Sequence, residues 1–144
     1  MTDLEERFSG ALHNTSRAWR QALDRRLKYL GLSQASWMTI AVAAKASTPL
    51  SQSELADRLA VEAATMVSMV DRLVKAGLVN REPSTTDRRI KRIVLTPSGN
   101  LLYDKVRAEA TAFRRELLAN VDPQTLLTAT EFLEALQGTI DAAP

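Results

Sequence analysis

Two short helices separated by a tight turn constrain the fold of this chain more than any other feature of its sequence. Residues 51–54 form a capping box in which Ser51 takes the N-cap position and Glu54 the third helical position. This signature predicts a short helix over residues 52–60, and apolar residues at helical spacing predict a second helix over residues 63–76. Two helices joined in this way are typical of a helix-turn-helix.

The second helix sorts into two faces. An apolar stripe is expected to pack against the rest of the domain and consists of Met66, Val67, Val70, Leu73 and Val74. The opposite face has the helical spacing i, i+3, i+4 and i+7 and consists of Thr65, Ser68, Met69 and Arg72. Because these side chains are short or unbranched apart from the arginine, this face is expected to approach another surface closely.

A β-hairpin is predicted directly after the helix-turn-helix. Residues 78–81 form a brief strand, residues 83–87 favour a turn, and residues 89–95 are rich in Ile and Val. An α-helix fits the major groove of duplex DNA, and a basic hairpin beside it can insert arginine into the minor groove. The order of the two motifs therefore favours DNA binding.

Basic residues are concentrated around this hairpin. Between residues 72 and 92 the chain carries seven Lys or Arg and two acidic residues, a net charge of +5, although the whole chain carries only +2. A local excess of cations in a nearly neutral chain favours a surface that binds a polyanion. The alternative, a solvated basic face without a partner, stays open on charge alone.

Amphipathic helices are predicted on both sides of this central part. One covers residues 4–29, and two more follow the hairpin, each started by a cap residue and a proline at Thr96-Pro97 and Asp122-Pro123. Their apolar stripes lack a complete partner in so short a chain, so we expect them to pair with a second copy.

The predicted fold class is mainly α, a winged helix-turn-helix with a small β-hairpin wing and flanking N- and C-terminal dimerisation helices. We expect a single domain over residues 1–144. Within it, residues 33–96 form the winged helix DNA-binding part, and residues 1–32 and 97–144 form the dimerisation helices.

Composition excludes several function classes. The chain has no cysteine, which excludes disulfides, thiolate zinc sites and cysteine redox sensing, and it has a single histidine, His13. It has no glycine-rich phosphate loop, nucleophile elbow or metal-ligand cluster, so we predict neither an enzyme nor a cofactor or metal site. It also lacks a signal peptide and an apolar run of the roughly 20 residues that a membrane span needs. A cytoplasmic protein without membrane contact is therefore predicted.

The sequence resembles the MarR family of bacterial transcriptional regulators over nearly the whole chain. The resemblance is carried first by Leu55-Ala56, Thr65-Met66-Val67-Ser68, Asp71-Arg72-Leu73, Gly77-Leu78-Val79 and Arg81. It continues through the hairpin in Asp87-Arg88-Arg89, Leu95-Thr96 and Gly99. A further similarity to the SlyA-like branch is carried by Trp19-Arg20, Arg26-Leu27, Leu32-Ser33-Gln34 and Trp37. SlyA-like proteins often carry arginine near the position of Ser68, and this chain does not.

The resemblance implies a homodimer that binds a pseudo-palindromic double-stranded DNA operator in a sequence-specific manner, as a ligand-responsive repressor. Two alternatives stay open at this point. One is a SlyA-like activator that displaces silencing proteins, and the other is a winged helix used for protein interaction. Against the second alternative, the hairpin retains its basic residues.

The resemblance also implies which residues contact DNA. The outward face of the recognition helix corresponds to Ala63, Ala64, Thr65, Ser68, Met69 and Arg72. In the wing, Arg89 matches the arginine that enters the minor groove, and Asp87 matches the acidic residue that orients it. Two further wing cations are expected to meet phosphates, Arg88 and Lys91. Asp71 either holds another wing arginine or pairs with Lys75 on its own helix.

Members of this family commonly sense small aromatic or phenolic anions in a cleft between the dimer helices and the winged helix. In this chain, the residues expected to form such an effector cleft are His13, Arg17, Arg20 and Trp37. Helical spacing places the first three on neighbouring parts of one face, where cations can meet a carboxylate. Trp37 has an alternative interpretation as an ordinary core residue.

Overall fold

The computed structural model describes residues 2–144. Over these residues the chain forms six α-helices, one short 3-10 helix and three β-strands. In chain order they are α1 (Thr2–Arg26), the 3-10 helix (Lys28–Leu30), α2 (Gln34–Lys45), β1 (Leu50–Ser51), α3 (Gln52–Leu59), α4 (Ala63–Lys75), β2 (Val79–Pro83), β3 (Lys91–Leu95), α5 (Pro97–Leu118) and α6 (Pro123–Ala142). The predicted class, a mainly helical winged helix-turn-helix, is confirmed.

Several helices begin where a polar side chain caps them. At α3 the predicted capping box is present, because the Ser51 backbone N–H donates to Glu54 Oε1 and the Glu54 backbone N–H donates to Ser51 Oγ, both at 3.1 Å. Hydrogen bonding with the Ser51 backbone, and then with its side chain, lowers the pKa of the Glu54 carboxyl. At α5 the Thr96 hydroxyl accepts a hydrogen bond of 3.0 Å from the Gly99 backbone N–H, as the sequence predicts.

The first helix ends three residues earlier than predicted. Regular α-helix stops at Arg26, and the next residues tighten into the 3-10 helix. Gly31 then closes this turn in the left-handed conformation, with φ of 72°.

The hairpin belongs to a three-stranded antiparallel sheet with the order β1-β3-β2. β2 pairs with β3 from Val79 opposite Leu95 to Pro83 opposite Lys91. The sequence did not predict β1, a two-residue strand whose Leu50 lies opposite Ile93 of β3. This pairing joins the start of the helix-turn-helix directly to the hairpin.

An apolar core lies between the helix-turn-helix and the sheet. α2 contributes Ile40 to this core, and the sheet contributes Leu50, Val79 and Ile93. The helix-turn-helix supplies the remaining fully buried members, Leu55, Ala56, Met66, Met69, Val70 and Leu73. Full burial of one large aliphatic side chain stabilises a fold by about 1.5–3 kcal/mol. The core therefore holds α4 firmly by one face and leaves its other face outward.

The chain divides into two compact units, Met1–Thr111 and Ala112–Pro144. In the second unit, α6 starts after the predicted cap residue Asp122, which accepts a hydrogen bond of 3.0 Å from the Thr125 backbone N–H. Within residues 2–144 none of the side chains of α6 is buried, and Leu133 and Ile140 are exposed. No helix over the same residues combines the length and the apolar content required to cross a membrane.

Candidate nucleic-acid interface

Helix α4, the predicted recognition helix, follows α3 after a turn of three residues. Ala60 closes α3 in the left-handed conformation, with φ of 54°. Glu62 occupies the N-cap position of α4 in an extended conformation, but its side chain makes no capping hydrogen bond. The sequence offers no Ser, Thr, Asp or Asn at this position. The start of α4 therefore depends on core packing more than on local capping.

Five of the six residues predicted to face DNA on this helix are exposed, namely Ala63, Ala64, Thr65, Ser68 and Arg72. Ala63, Ala64 and Thr65 lie in the first turn of α4, and Ser68 and Arg72 lie further along the helix. The N-terminal end of a helix carries a partial positive charge, which suits the approach of a polyanion. The exposed face is thus narrow, formed by small side chains, and ends in one arginine.

The sixth residue, Met69, is wrongly placed by the sequence prediction. Its side chain is only 4% exposed and packs in the core, where the Ser36 hydroxyl donates a hydrogen bond of 3.4 Å to its sulfur. Met69 follows Met66 by three residues and precedes Leu73 by four, so it continues their buried stripe.

The buried stripe of α4 is thus rotated about the helix axis relative to the prediction. As a result, two residues that were expected in the core are exposed. Val67 is 40% exposed and Val74 is 36% exposed. They lie seven residues apart and therefore share one side of the helix, away from the buried stripe.

The tip of the hairpin, residues 84–90, is held by its own hydrogen bonds. The Ser84 backbone N–H donates to the Ile90 carbonyl at 2.8 Å, and the Ile90 N–H donates to the Asp87 carbonyl at 3.0 Å. The buried Ser84 hydroxyl is hydrogen-bonded to Thr86 Oγ1 at 3.1 Å. These bonds give the hairpin tip a defined backbone although it extends beyond the paired strands.

Asp87 and Arg89 form a closely fitted pair at this tip. Arg89 donates from its backbone N–H and its Nε to Asp87 Oδ1, at 3.0 and 3.1 Å, and from Nη2 to Oδ2 at 3.0 Å. The side-chain hydrogen bonds from Arg89, and then its backbone hydrogen bond, lower the pKa of the Asp87 carboxyl. The Arg89 side chain is nevertheless 91% exposed. It is a fixed cation presented to solvent.

A second arginine, Arg81 of β2, has the opposite character. It donates from Nη2 to Asp71 Oδ1 at 2.6 Å and to the Val67 carbonyl at 3.3 Å, and from Nε to Gln52 Oε1 at 3.1 Å. One guanidinium therefore joins α3, α4 and the hairpin. Asp71 holds an arginine of the hairpin, as one of its two interpretations predicts, but this arginine lies in the first strand and not at the tip.

The role of Arg81 and Gln52 was missed from the sequence. From the sequence, Arg81 belongs to the first hairpin strand, to the basic residues around it and to the family resemblance, and Gln52 belongs to the capping-box segment. Their side chains meet over 29 positions of sequence separation. Local pattern analysis has no signal for a contact of this range.

The remaining wing cations, Arg88 and Lys91, are both exposed near the hairpin tip. Arg92 is half-buried and lies opposite Glu82 in the β2–β3 register. The exposed positive charge of the hairpin is therefore concentrated toward its tip.

Of the four residues predicted to form an effector cleft, three are exposed on one helix and the fourth is buried. His13, Arg17 and Arg20 are exposed on α1, and Arg17 donates a hydrogen bond of 3.1 Å to Asn14 Oδ1. Trp37 is 6% exposed, and its indole N–H donates to Asp24 Oδ1 at 2.9 Å. Trp37 is thus a core residue whose one polar group is already bonded, which supports its alternative interpretation.

Comparison with known proteins agrees with this arrangement. A family model described as the MarR family matches residues 32–91. A transcriptional regulator of known structure, PA3341, is 37% identical in sequence to this chain. The match covers 94% of this chain and 99% of PA3341, with a TM-score of 0.88. AbsC, a MarR family transcriptional regulator from Streptomyces coelicolor, is 21% identical over 99% of this chain and 98% of its own, with a TM-score of 0.82.

A third solved structure contains a bound ligand. CouR from Rhodococcus jostii RHA1, bound to p-coumaroyl-CoA, is 22% identical over 92% of this chain and 93% of its own, with a TM-score of 0.78. At this identity CouR and AbsC show a shared fold, whereas the 37% identical relative and the family model show kinship. This chain therefore belongs to the MarR family of transcriptional regulators, which are DNA-binding proteins and not enzymes.

Proposed function

We propose that this protein acts as a homodimer that binds a pseudo-palindromic DNA operator and represses transcription until a small molecule binds to it. The observation that carries the proposal is the state of Arg89. Its guanidinium is 91% exposed and is held by Asp87 at the hairpin tip. A cation kept in solvent by its own carboxylate partner is prepared for an external anion.

We assign base reading in the major groove to α4. The Arg72 guanidinium can donate two hydrogen bonds to O6 and N7 of guanine, and the Thr65 and Ser68 hydroxyls can donate or accept. The methyl groups of Ala63 and Ala64 suit apolar contact with thymine methyl groups. A bidentate contact discriminates between bases by about 1–3 kcal/mol. Arg72 is therefore the residue that we expect to influence sequence preference most.

We assign the minor groove to Arg89. A narrow minor groove carries an enhanced negative potential that attracts arginine. Because Asp87 already holds Nε and Nη2, little side-chain freedom is lost when DNA binds. Arg88 and Lys91, on either side of Arg89, are placed in this proposal at backbone phosphates.

A two-fold dimer is proposed because one winged helix spans few base pairs, and two copies read half-sites about one helical turn apart. On α1, the exposed side chains Leu4 and Leu12 lie eight residues apart on one side of the helix. On α6, the exposed Leu133 and Ile140 lie seven residues apart in the same way. Apolar stripes of this kind are covered in stable proteins. We therefore assign residues 1–32 and 97–144 to dimerisation and residues 33–96 to DNA contact.

Repression is proposed because a dimer seated on an operator occupies duplex that the transcription machinery would otherwise contact. Response to a small molecule is supported by CouR, a relative in fold whose structure contains p-coumaroyl-CoA. A reporter placed behind the operator tests the direction of regulation. Expression should rise when the gene for this protein is deleted, and a fall would make it an activator.

The DNA-binding proposal is tested by selection of bound duplexes from a random pool with the full-length protein. We expect enrichment of a two-fold symmetric sequence, and a changed preference at one base pair per half-site for Arg72→Ala. Arg107→Ala, which removes an exposed arginine from α5, is the matched control and should leave the preference unchanged. Failure to enrich any duplex at low salt, or enrichment without symmetry, would contradict the proposal.

The dimer is tested separately by sedimentation equilibrium. We expect twice the mass of one chain for the wild type and a shift toward the monomer for Leu133→Asp. The exposed position of Leu133 means that the substitution should not unfold the single chain. A monomeric wild type at micromolar concentration would contradict the dimer.

A further inference from the structure

An acidic side chain lies on the outward face of α4, the face that the proposed function places against DNA. Asp71 follows Ala64 by seven residues and Ser68 by three, so the three side chains share one side of the helix. This side lies opposite the buried stripe that contains Met66 and Leu73. The Asp71 side chain is 60% exposed. A carboxylate therefore faces the same groove as the residues assigned to base reading.

One oxygen of this carboxylate is already bonded within the protein. Asp71 Oδ1 accepts the 2.6 Å hydrogen bond from Arg81 Nη2, and within residues 2–144 the other oxygen, Oδ2, has no protein donor. The Arg81 guanidinium is itself held by Gln52 of α3 and by the Val67 carbonyl. Asp71 Oδ2 is therefore an available acceptor on a side chain that the hairpin holds in place.

A carboxylate oxygen in the major groove distinguishes between the four bases. It accepts a hydrogen bond from the N4 amino group of cytosine, which is a donor without a neighbouring acceptor on the same base edge. Guanine presents two acceptors there, thymine presents an acceptor and a methyl group, and adenine presents an acceptor beside its amino group. Acceptors on a base repel a carboxylate, so a fixed carboxylate oxygen favours cytosine over the other three bases.

The ion pair with Arg81 makes such a contact feasible. Phosphates repel an isolated carboxylate, and a bound guanidinium offsets part of this repulsion. Because Arg81 also restricts the side chain, Asp71 loses little conformational freedom when it meets a base. Arg72, the next residue of α4, is the one assigned to guanine. Two neighbouring side chains of opposite charge thus have complementary base preferences.

We propose that Asp71 determines part of the operator sequence by accepting a hydrogen bond from the N4 amino group of one cytosine in each half-site, with Arg81 as its positioning residue. The assignment rests on the proposed function, because it requires α4 to lie in the major groove. A hydrogen bond to a charged acceptor is stronger than one between neutral groups. We expect cytosine to be preferred at this base pair by about tenfold in affinity per half-site.

The assignment is tested by repeating the selection from a random pool with Asp71→Asn. The asparagine amide oxygen can still accept from Arg81, and asparagine forms a bidentate contact with adenine. We expect one cytosine in each half-site of the wild-type consensus to become adenine, while the other positions stay the same. Asp104→Asn, which removes the same charge from an exposed position of α5, is the matched control and should keep the cytosine.

Two other results with Asp71→Asn would overturn the assignment. If the variant binds every duplex more tightly and keeps the wild-type preference, the carboxylate acts only by repelling phosphates. If the variant loses stability in urea denaturation and keeps the wild-type preference, Asp71 serves only the fold. A change of base preference at one position is the result that neither of these roles produces.

A modified duplex keeps the test decisive if Asp71→Asn does not fold. Each cytosine of one selected half-site is replaced in turn by 2-pyrimidinone, which differs from cytosine only by the missing amino group. We expect the affinity of the wild-type protein, measured by fluorescence anisotropy, to fall by about tenfold at one position. The same replacement outside the half-sites is the control and should have no effect. Equal affinity for all the modified and unmodified duplexes would overturn the assignment.

Failure of this assignment can be distinguished from failure of the proposed function. If the wild type enriches a symmetric duplex whose binding depends on no cytosine amino group, DNA binding stands and the assignment of Asp71 is wrong. If the wild type enriches no duplex at low salt, the proposed function is wrong and the assignment of Asp71 is wrong with it.

Discussion

The base and the tip of the β-hairpin each carry an arginine, but the two arginines have opposite roles. The hairpin base is formed by Leu78, Arg81 and their neighbours Asp71 and Gly99. There the Arg81 guanidinium donates hydrogen bonds to three acceptors within the protein, and its side chain is 29% exposed. At the hairpin tip, Arg89 bonds to Asp87 and is 91% exposed.

This difference separates a structural arginine from one that is available to a partner. Arg81 fixes the angle between the recognition helix and the hairpin, while Arg89 extends the same hairpin toward solvent. Substitutions at the base should therefore act on stability first, and substitutions at the tip should act on DNA affinity alone.

The largest effect is expected at the hairpin base for Gly99→Ala. A Cβ at Gly99 would overlap the backbone carbonyl oxygen of Leu78, which cannot rotate away. We expect a loss of about 3 kcal/mol in the free energy of unfolding, measured by urea denaturation. Gly10→Ala is the matched control, because a Cβ there meets no atom within 4 Å. It should stabilise α1 by about 0.5–1 kcal/mol, and equal effects of the two variants would refute the close contact.

A smaller loss of stability is expected for Arg81→Ala. The substitution leaves Asp71 and Gln52 without their common donor and removes the bond to the Val67 carbonyl. Because Arg81 and Asp71 are partly exposed to solvent, we expect about 1.5 kcal/mol by the same measurement. Arg81→Lys should recover only a minor part, since one ammonium group cannot reproduce the fork of the guanidinium. Full recovery of stability by lysine would show that only the positive charge of Arg81 matters, and not its set of hydrogen bonds.

At the hairpin tip, Arg89→Ala should change affinity and not stability. We expect affinity for the selected duplex to fall by about tenfold, measured by fluorescence anisotropy, while the urea midpoint stays unchanged. Ile90→Ala at the neighbouring exposed position is the control for disturbance of the hairpin tip. If Arg89→Ala lowered stability and left DNA affinity unchanged, Arg89 would be a structural residue, which contradicts its assignment to DNA.

The smallest effect is expected from pH. Arg89 holds the pKa of Asp87 below its ordinary value of 3.8, so the pair contributes fully above that value and is lost only as pH falls through the lower pKa of the folded state. Between pH 5.5 and 8 the hairpin tip therefore keeps its charges. We expect DNA affinity to change by less than about twofold over this range. A change in DNA affinity near pH 6 that disappears in Asp87→Asn would contradict this prediction, because it would show that the pair titrates within this pH range.

Features that depend on three or four neighbouring residues could be predicted from the sequence. The capping box at Ser51 and the cap at Asp122 are of this kind, and the pairing of Asp87 with Arg89, which the family resemblance implied, is equally local. In each, the partners are so close along the chain that the local backbone alone brings them together. The helix-turn-helix and the hairpin follow from the same short-range signals.

Features that depend on distant residues could not be predicted. β1 is only two residues long and exists because β3 lies beside it. Met69 satisfies both the exposed spacing with Thr65 and the buried spacing with Met66, and only the position of α2 and the core decides between them. Arg81 finds acceptors on two helices, which no single segment of the sequence encodes.

The salt dependence of DNA binding, compared between wild type and Arg89→Ala on the selected duplex, tests the central claim most directly. Each cation that neutralises a phosphate steepens the fall of log K with log salt by about one. We predict that Arg89→Ala binds more weakly and that its slope is shallower by about two, one for each copy in the dimer. Identical affinity and identical slope for the two proteins would show that the exposed arginine does not meet DNA.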